Sequence, residues 1–346
     1  MKKALCILFV ISFFAACTNN EHLLDRLDPY NLPIQGSLEL IPTASLPVNT
    51  SAEAAFYEDI PYGFDERHKF DFLAPVSSQP TPLVIYIHGG GFTSGDKTKA
   101  YTKEEALINS LLANKIAFAS INYRLLEENE TIGVRKCLND SRRALQVIRY
   151  YANDFNIDKE KIILMGGSAG AGTSLWIGLQ DDFANENGQY EFLKESTKVK
   201  GIIATNTQST YDVVNWHTTV FSTYESEGMS QDTIISLVGE GTLLKFYGLS
   251  SMEELDSPEI DSYRQAVDML SMMDSNDPEI YVTKSSSPYR FPEHKGAVLH
   301  HPLHANAIYE KANEAGLACV AVIPQMNMDN SNGESILQFI LRKMNQ

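Results

Sequence analysis

The sequence predicts an α/β fold: a mostly parallel sheet with helices on both faces and a helical insertion. Two observations lead there. Short continuous runs of Val, Ile, Leu and Ala alternate along the chain with longer amphipathic stretches, the pattern of strands buried on both faces and joined by crossover helices. Two glycine-rich turns, His88-Gly89-Gly90-Gly91 and Gly166-Gly167-Ser168-Ala169-Gly170, each follow directly on such a run. In open α/β sheets the functional site lies at the carboxyl ends of the strands.

Taken in order, the expected strands are Phe56 to Tyr62, His68 to Leu73, Leu83 to Ile87, Ile116 to Asn122, Lys161 to Met165, Val199 to Ala204, Glu279 to Thr283 and Ala318 to Ile323. Between the fourth and fifth, Val134, Leu138, Ala144, Leu145, Ile148 and Tyr151 recur at close to helical spacing, with Arg142, Arg143 and Arg149 expected on the outer face. Thr173 to Leu179 continues as a helix after the second glycine turn, and Ala305 to Ala315 and Ser335 to Met344 read as the last two helices. The stretch from about 207 to 277 is polar and too long for a plain connection, and is expected to form a helical cap. Its Trp216, Phe221, Tyr224 and Met229 either line a substrate pocket or make the cap's own small core, the commoner arrangement.

The N-terminus stands apart. Lys2 and Lys3 precede an apolar run from Ala4 to Ala16 of signal-peptide length. The run ends in Phe14-Ala15-Ala16-Cys17, which resembles the lipobox of bacterial lipoproteins. That resemblance implies lipidation of Cys17 and an anchored protein of the bacterial cell envelope, with the outer membrane as its expected seat. The alternative is plain cleavage near Ala16. Residues 18 to about 50 read as a tether, and 51 to 346 as the folded domain. Cys137 and Cys319, in apolar settings, are expected as core thiols rather than a disulfide.

Composition narrows the function. With 28 Lys and Arg against 44 Asp and Glu, the formal charge is −16, so the chain lacks the broad positive field that nucleic acid or anionic lipid requires. No cofactor is implied, and the His and Asp spacings match no zinc or calcium motif.

The chemistry concentrates in the two turns. A nucleophilic serine needs its hydroxyl lifted clear of the sheet on a sharp, crowded strand-to-helix turn, hence the small neighbours of Ser168. Glycines at a strand end let backbone N–H groups approach an oxyanion, and removing one such donor costs roughly 3 to 4 kcal/mol of transition-state stabilisation. HGGGF at 88 to 92, NYR at 122 to 124 and GGSAGAG at 166 to 172 resemble the hormone-sensitive-lipase and bifunctional feruloyl/acetyl-xylan esterase branches of the α/β-hydrolase fold. The resemblance runs from about residue 55 to 340. It implies an eight-stranded, mostly parallel sheet and a Ser-acid-His triad that cleaves carboxylic esters. It makes Ser168 the nucleophile and the N–H groups of Gly90, Gly91 and Ala169 the oxyanion hole, with His88 opening the motif and not acting as base.

The rest of the triad does not carry over. The family's base sits after the last strand, where this chain reads Pro324-Gln325-Met326-Asn327-Met328-Asp329-Asn330, and none of its eight histidines lies beyond His304. Of that loop only Asp329 accepts a proton, and weakly. Candidate bases are His300, His301 and His304, on the same rim of the sheet as Ser168; their structural alternative is the start of a helix at His301-Pro302. Candidate acids are Glu293, beside His294, and Asp212, past the sixth strand. The leading expectation is an envelope serine carboxylesterase acting on an acyl or acetyl ester, carried on a carbohydrate among other alcohols. The alternative is a degenerate hydrolase that binds glycan or peptide. A peptidase is the third reading, and it needs a full triad most urgently.

Overall fold

The computed structural model describes residues 38, 40–43, 45–284 and 287–346. The expected leader, Cys17 and most of the tether lie outside the described residues. One sheet organises the domain, with strands in the order β1-β2-β4-β3-β5-β6-β7-β8-β9. These are β1 (Ala54–Pro61), β2 (Lys69–Pro75), β3 (Thr81–Ile87), β4 (Ala117–Ile121), β5 (Ile157–Gly167), β6 (Gly201–Thr205), β7 (Ile280–Thr283), β8 (Cys319–Ile323) and β9 (Met328–Asp329). The block from β4 through β8 is parallel, and β1, β2 and β9 are antiparallel edges.

Strand β3 shows why the apolar runs are continuous. Leu83, Ile85 and Ile87 join the core on one face, while Val84 and Tyr86 join the core on the other. Side chains alternate across a strand, so a strand covered on both faces needs apolar residues at every step. The first core is closed by helices α2 (Val134–Tyr150) and α3 (Ala169–Gly178), the second by α1 (Glu105–Ala113) and α9 (Ile336–Met344). Helix α9 begins on a capping box between Ser335 and Gln338. Cys137 and Cys319 are buried free thiols.

Two expectations about this framework are corrected. Arg149 is buried rather than on the outer face of α2; its guanidinium donates to the carbonyls of Ser196 (2.9 Å) and Lys198. Among the described residues the sheet has nine strands, not eight. After β8 a left-handed Asn327 (φ 53°) turns the chain back, and Ile323 and Val322 pair with Met328 and Asp329. Asn and Asp tolerate this conformation better than other non-glycine residues.

Between β6 and β7 the chain forms the cap, including α4 (Gln231–Val238), α5 (Glu240–Tyr247) and α6 (Pro258–Gln265). Trp216, Phe221, Tyr224 and Met229 are buried together with Ile234, Leu243 and Tyr247 in a third core. These residues are therefore the cap's own core, although Trp216 also touches the cavity below. After β7, α7 (Lys295–Leu299) and α8 (Pro302–Ala315) complete the layer, and their Val298 and Leu303 extend the cap's core into the main domain.

Arg124 of the NYR triplet is fixed to Asp140 on α2 by two hydrogen bonds of 2.8 and 2.7 Å, and His68 Nε2 lies 3.0 Å from the same carboxylate. Asp140 is fully buried, which alone would raise its pKa; its bonds to His68 and Arg124 prevail and hold it far below the ordinary carboxylate range. A depressed carboxylate adds stability above its unfolded pKa of about 4 and loses it progressively as pH falls below that value. Asp140→Asn is therefore expected to lose about 3 to 5 kcal/mol at pH 7. Urea denaturation at pH 7 and pH 3 should show the gap between wild type and variant narrowing at the lower pH.

Candidate active site

Parallel strands β3 and β5 lie side by side, so the two glycine turns emerge next to each other at their carboxyl ends. Ser168 takes φ 54° and ψ −121° as the cap residue of α3, a conformation costly for any side chain but glycine. Its N–H donates to Thr205 O at 2.9 Å, and its carbonyl receives the N–H groups of Ala171 and Gly172. Crowding explains the neighbouring glycines. A Cβ on Gly170 would stand 1.9 Å from Ile87 O, and one on Gly89 would stand 2.5 Å from Gly167 O. Tyr211 closes the turn from above by donating its hydroxyl to Ala169 O at 2.7 Å.

The first glycine turn is held from behind. His88 is buried and stacks on Tyr123 at 4.3 Å, and Tyr123 donates its hydroxyl to His88 O. His88 Nδ1 faces Gly89 O at 2.8 Å and so carries the proton, leaving Nε2 toward Arg67 Nη2 at 3.4 Å. Burial pushes its pKa down to about 4. This imidazole stays neutral and braces the loop. Arg67 adds bonds to the carbonyls of Tyr123 and Gly95, and Asn122 joins Lys97 N to Asp96. Asn122 and Tyr123 of NYR, together with Arg67, thus clamp the HGGG loop.

Ser168, Gly90, Gly91, Ala169 and His300 line one cavity of about 1150 Å³ under the cap. The N–H groups of Gly90, Gly91 and Ala169 donate to no other group among the described residues, and Ala169 begins α3, whose N-terminus favours negative charge. The cavity therefore brings together a raised serine hydroxyl and free backbone donors, the parts an acyl transfer uses.

The three candidate bases separate cleanly. His304 is fully buried against Trp216 and Phe221; its Nε2–H donates to Val298 O at 3.0 Å while Nδ1 accepts from Ser209 N and faces Ser209 Oγ. Burial pushes its pKa down to about 3. His301 caps α8 by accepting from Leu303 N, and its Nε2–H donates to Arg290 O. Both rings are saturated and neither lines the cavity, so their candidacy is corrected to structure. His300 differs: its Nδ1–H donates to Asn206 O at 3.3 Å, which directs the Nε2 lone pair elsewhere, and the residue lines the cavity. Burial chiefly, and the nearby Lys284 cation, lower its pKa, so the ring is neutral at pH 7. Among the described residues Ser168 Oγ has no hydrogen bond to an imidazole.

Neither candidate acid reaches this place. Asp212 is engaged by Arg264 Nε at 2.6 Å and by Asn215 Nδ2 at 2.5 Å. Glu293 is exposed and faces Arg290 at 3.9 Å. No residue of 324–330 lines the cavity, and Asp329 is bound to Ser331. Two residues that sequence reasoning passed over do stand in the site. Asn206 (φ 50°) follows β6, and Lys284 follows β7; the buried Lys284 Nζ donates to Asn206 Oδ1 at 2.9 Å. Their one signal in the sequence is placement at the carboxyl ends of parallel strands.

Sheet order, cap and the strained strand-to-helix elbow at Ser168 together define an α/β-hydrolase fold. The family model described as BD-FAE matches residues 71–292, and the chain belongs to that α/β-hydrolase esterase family. The comparison with curated proteins gives no match. Among solved structures, a truncated carbohydrate esterase from gut microbiota is similar at TM-score 0.58 and 14% identity, covering 90% of this chain and 100% of that one. Esterase B from Lactobacillus rhamnosis is similar at 0.55 and 14%, covering 86% and 88%. An acetyl ester-xyloside bifunctional hydrolase from Caldicellulosiruptor lactoaceticus is similar at 0.52 and 16%, covering 91% and 97%. At such identities the likeness is one of fold.

The crowding at the elbow has a measurable consequence. Gly170→Ala is expected to cost roughly 3 kcal/mol or more, because the added carbon meets backbone that cannot swing away. Thermal unfolding of the variant checks this; a melting temperature within a degree of wild type would contradict it.

Proposed function

We propose that this ester-cleaving hydrolase uses Ser168 as its nucleophile against an acyl or acetyl ester carried on a carbohydrate. The observation that carries the reading is the strained Ser168 beside three unengaged backbone N–H groups in one cavity. Serine oxygen attacks the ester carbonyl, and the N–H groups of Gly90, Gly91 and Ala169 receive the developing oxyanion. His300 Nε2 takes the serine proton and returns it to the leaving alcohol; water then releases the acyl group by the same route. Asn206 O holds the required tautomer of His300, as a triad carboxylate would, but without a full charge to stabilise the imidazolium. The carbohydrate part rests on the family and on the named activities of the two carbohydrate-acting neighbours.

A second reading has its own support. No carboxylate orients His300, and no imidazole bonds Ser168 Oγ among the described residues, as befits a hydrolase kept only for binding. A fluorophosphonate probe separates the two: wild type should label at Ser168 and Ser168→Ala should not. Folded protein that neither labels nor turns over any ester would leave the binding role standing. His300→Ala should lower kcat by about 10⁴-fold or more. Because the pKa of His300 is depressed, wild-type activity should hold as pH falls through 6.5 and drop only at lower pH, which a kcat–pH profile measures.

The envelope location is likewise a proposal, resting on Phe14-Ala15-Ala16-Cys17. Palmitate labelling of the expressed full-length chain should vanish in Cys17→Ala; unlabelled wild type would mean plain cleavage instead.

A further inference from the structure

The walls of the cavity carry a charge opposite to that of the chain. Among the described residues five lysines line it, Lys99, Lys103, Lys245, Lys284 and Lys295, against two glutamates, Glu104 and Glu128, and no aspartate or arginine. In a chain of net charge −16, this one concavity holds a surplus of cations. Lys245 is neutralised by its ion pair with Glu128. Glu104 is half-buried, and burial raises its pKa. Lys99, Lys103, Lys284 and Lys295 form no ion pair among the described residues.

Lys284 stands out among them. The other three unpaired lysines are solvated, but Lys284 is buried at the end of β7, two strands from Ser168 in the sheet. Its ammonium has three donors and one hydrogen-bond partner among the described residues, the neutral Asn206 Oδ1. A buried cation without a counter-charge is costly, and burial alone accounts for its lowered pKa. An anion entering the cavity would restore both the charge balance and the missing hydrogen bonds. Lys295 (bonded to Thr242 Oγ1 on α5 at 2.6 Å) and the Lys99–Lys103 segment flank the approach, and a cleft lined by one sign of charge concentrates ligands of the other.

We infer that the ester this site takes is anionic, with Lys284 receiving a carboxylate or sulfate on the sugar and the solvated lysines drawing it in. The inference rests on the hydrolase reading for the word ester, but not for the binding of the anion. Lys284 is a specificity residue here, and Ser168 and His300 keep the chemistry.

The test uses three acetylated methyl glycosides: one of glucuronic acid, one of glucose, and one of glucose 6-sulfate. The first two differ only in a carboxylate for a hydroxymethyl group. Calorimetric binding to Ser168→Ala and kcat/KM of wild type are both measured. The glucuronate or the sulfate should be preferred over glucose by at least about tenfold at low salt, the preference shrinking in 0.5 M NaCl; which anion wins distinguishes carboxylate from sulfate. Lys284→Gln should lose most of the preference, read as the ratio of anionic to neutral sugar both in kcat/KM and in affinity on the Ser168→Ala background, and Lys284→Arg should keep it. Equal or tighter binding of the neutral sugar would overturn the inference. So would equal collapse of turnover on all three sugars in both variants, since Lys284 would then serve the proton transfer. Anion-selective binding without turnover or fluorophosphonate labelling would sink the hydrolase reading and leave this one intact.

Discussion

Where the carbonyl of Ile87 passes the first turn of α3, two backbone segments approach too closely for any side-chain carbon between them. A Cβ at Gly170 would meet that oxygen at 1.9 Å, and one at Gly166 would meet Gly170 itself at 2.3 Å. This contact ties the end of β3 to the end of β5. It sets the distance between the HGGG donors and the serine hydroxyl, and it obliges Ser168 to adopt its strained turn. The clamp of buried His88, Tyr123 and Asn122 with half-buried Arg67 lies on the other side of the same loop and keeps it pressed there. Geometry on which the proposed oxyanion stabilisation depends is thus held by rigid strands rather than by the cap.

Much of this was legible in the sequence, because the constraints that shape it act locally. Strands covered on both faces must be apolar at every step, so β3, β4 and β5 announce themselves as unbroken runs. The crowded turns must be glycine, so both appear as motifs. What escaped depends on which way a side chain points. His300, His301 and His304 are equivalent as a string, yet one caps a helix, one fills the cap's core and one faces the cavity. Arg149 sits at helical spacing with the half-buried Arg142 and is nonetheless drawn fully inward, because the loop carbonyls of Ser196 and Lys198 need donors. Strand β9 is two residues long and arises from the left-handed Asn327, a tertiary hairpin with no periodicity to detect.

Asn206 gathers the polar side of the site. Its carbonyl accepts a hydrogen bond from His300 Nδ1–H, its side-chain oxygen accepts one from Lys284, and its left-handed backbone allows both at the end of β6. It stands beside the elbow through the bond from Ser168 N to Thr205 O. After β7 the site carries a buried cation, Lys284, and no carboxylate among the described residues reaches His300. This cation shapes the electrostatics of the histidine: burial and Lys284 disfavour its charged form, and only the carbonyl it already engages favours it.

The buried, neutral histidines have a cost that lies outside catalysis. His88, His301 and His304 all have their pKa values lowered by burial, whereas an unfolded chain protonates histidine near 6.5. Below that pH, unfolding takes up protons that the native state refuses. Each such ring then subtracts up to about 1.4 kcal/mol of stability per pH unit until its own native value is reached. The same rings that brace the glycine loop and fill the cap therefore make the fold a proton-sensitive one, weakening first as its surroundings acidify.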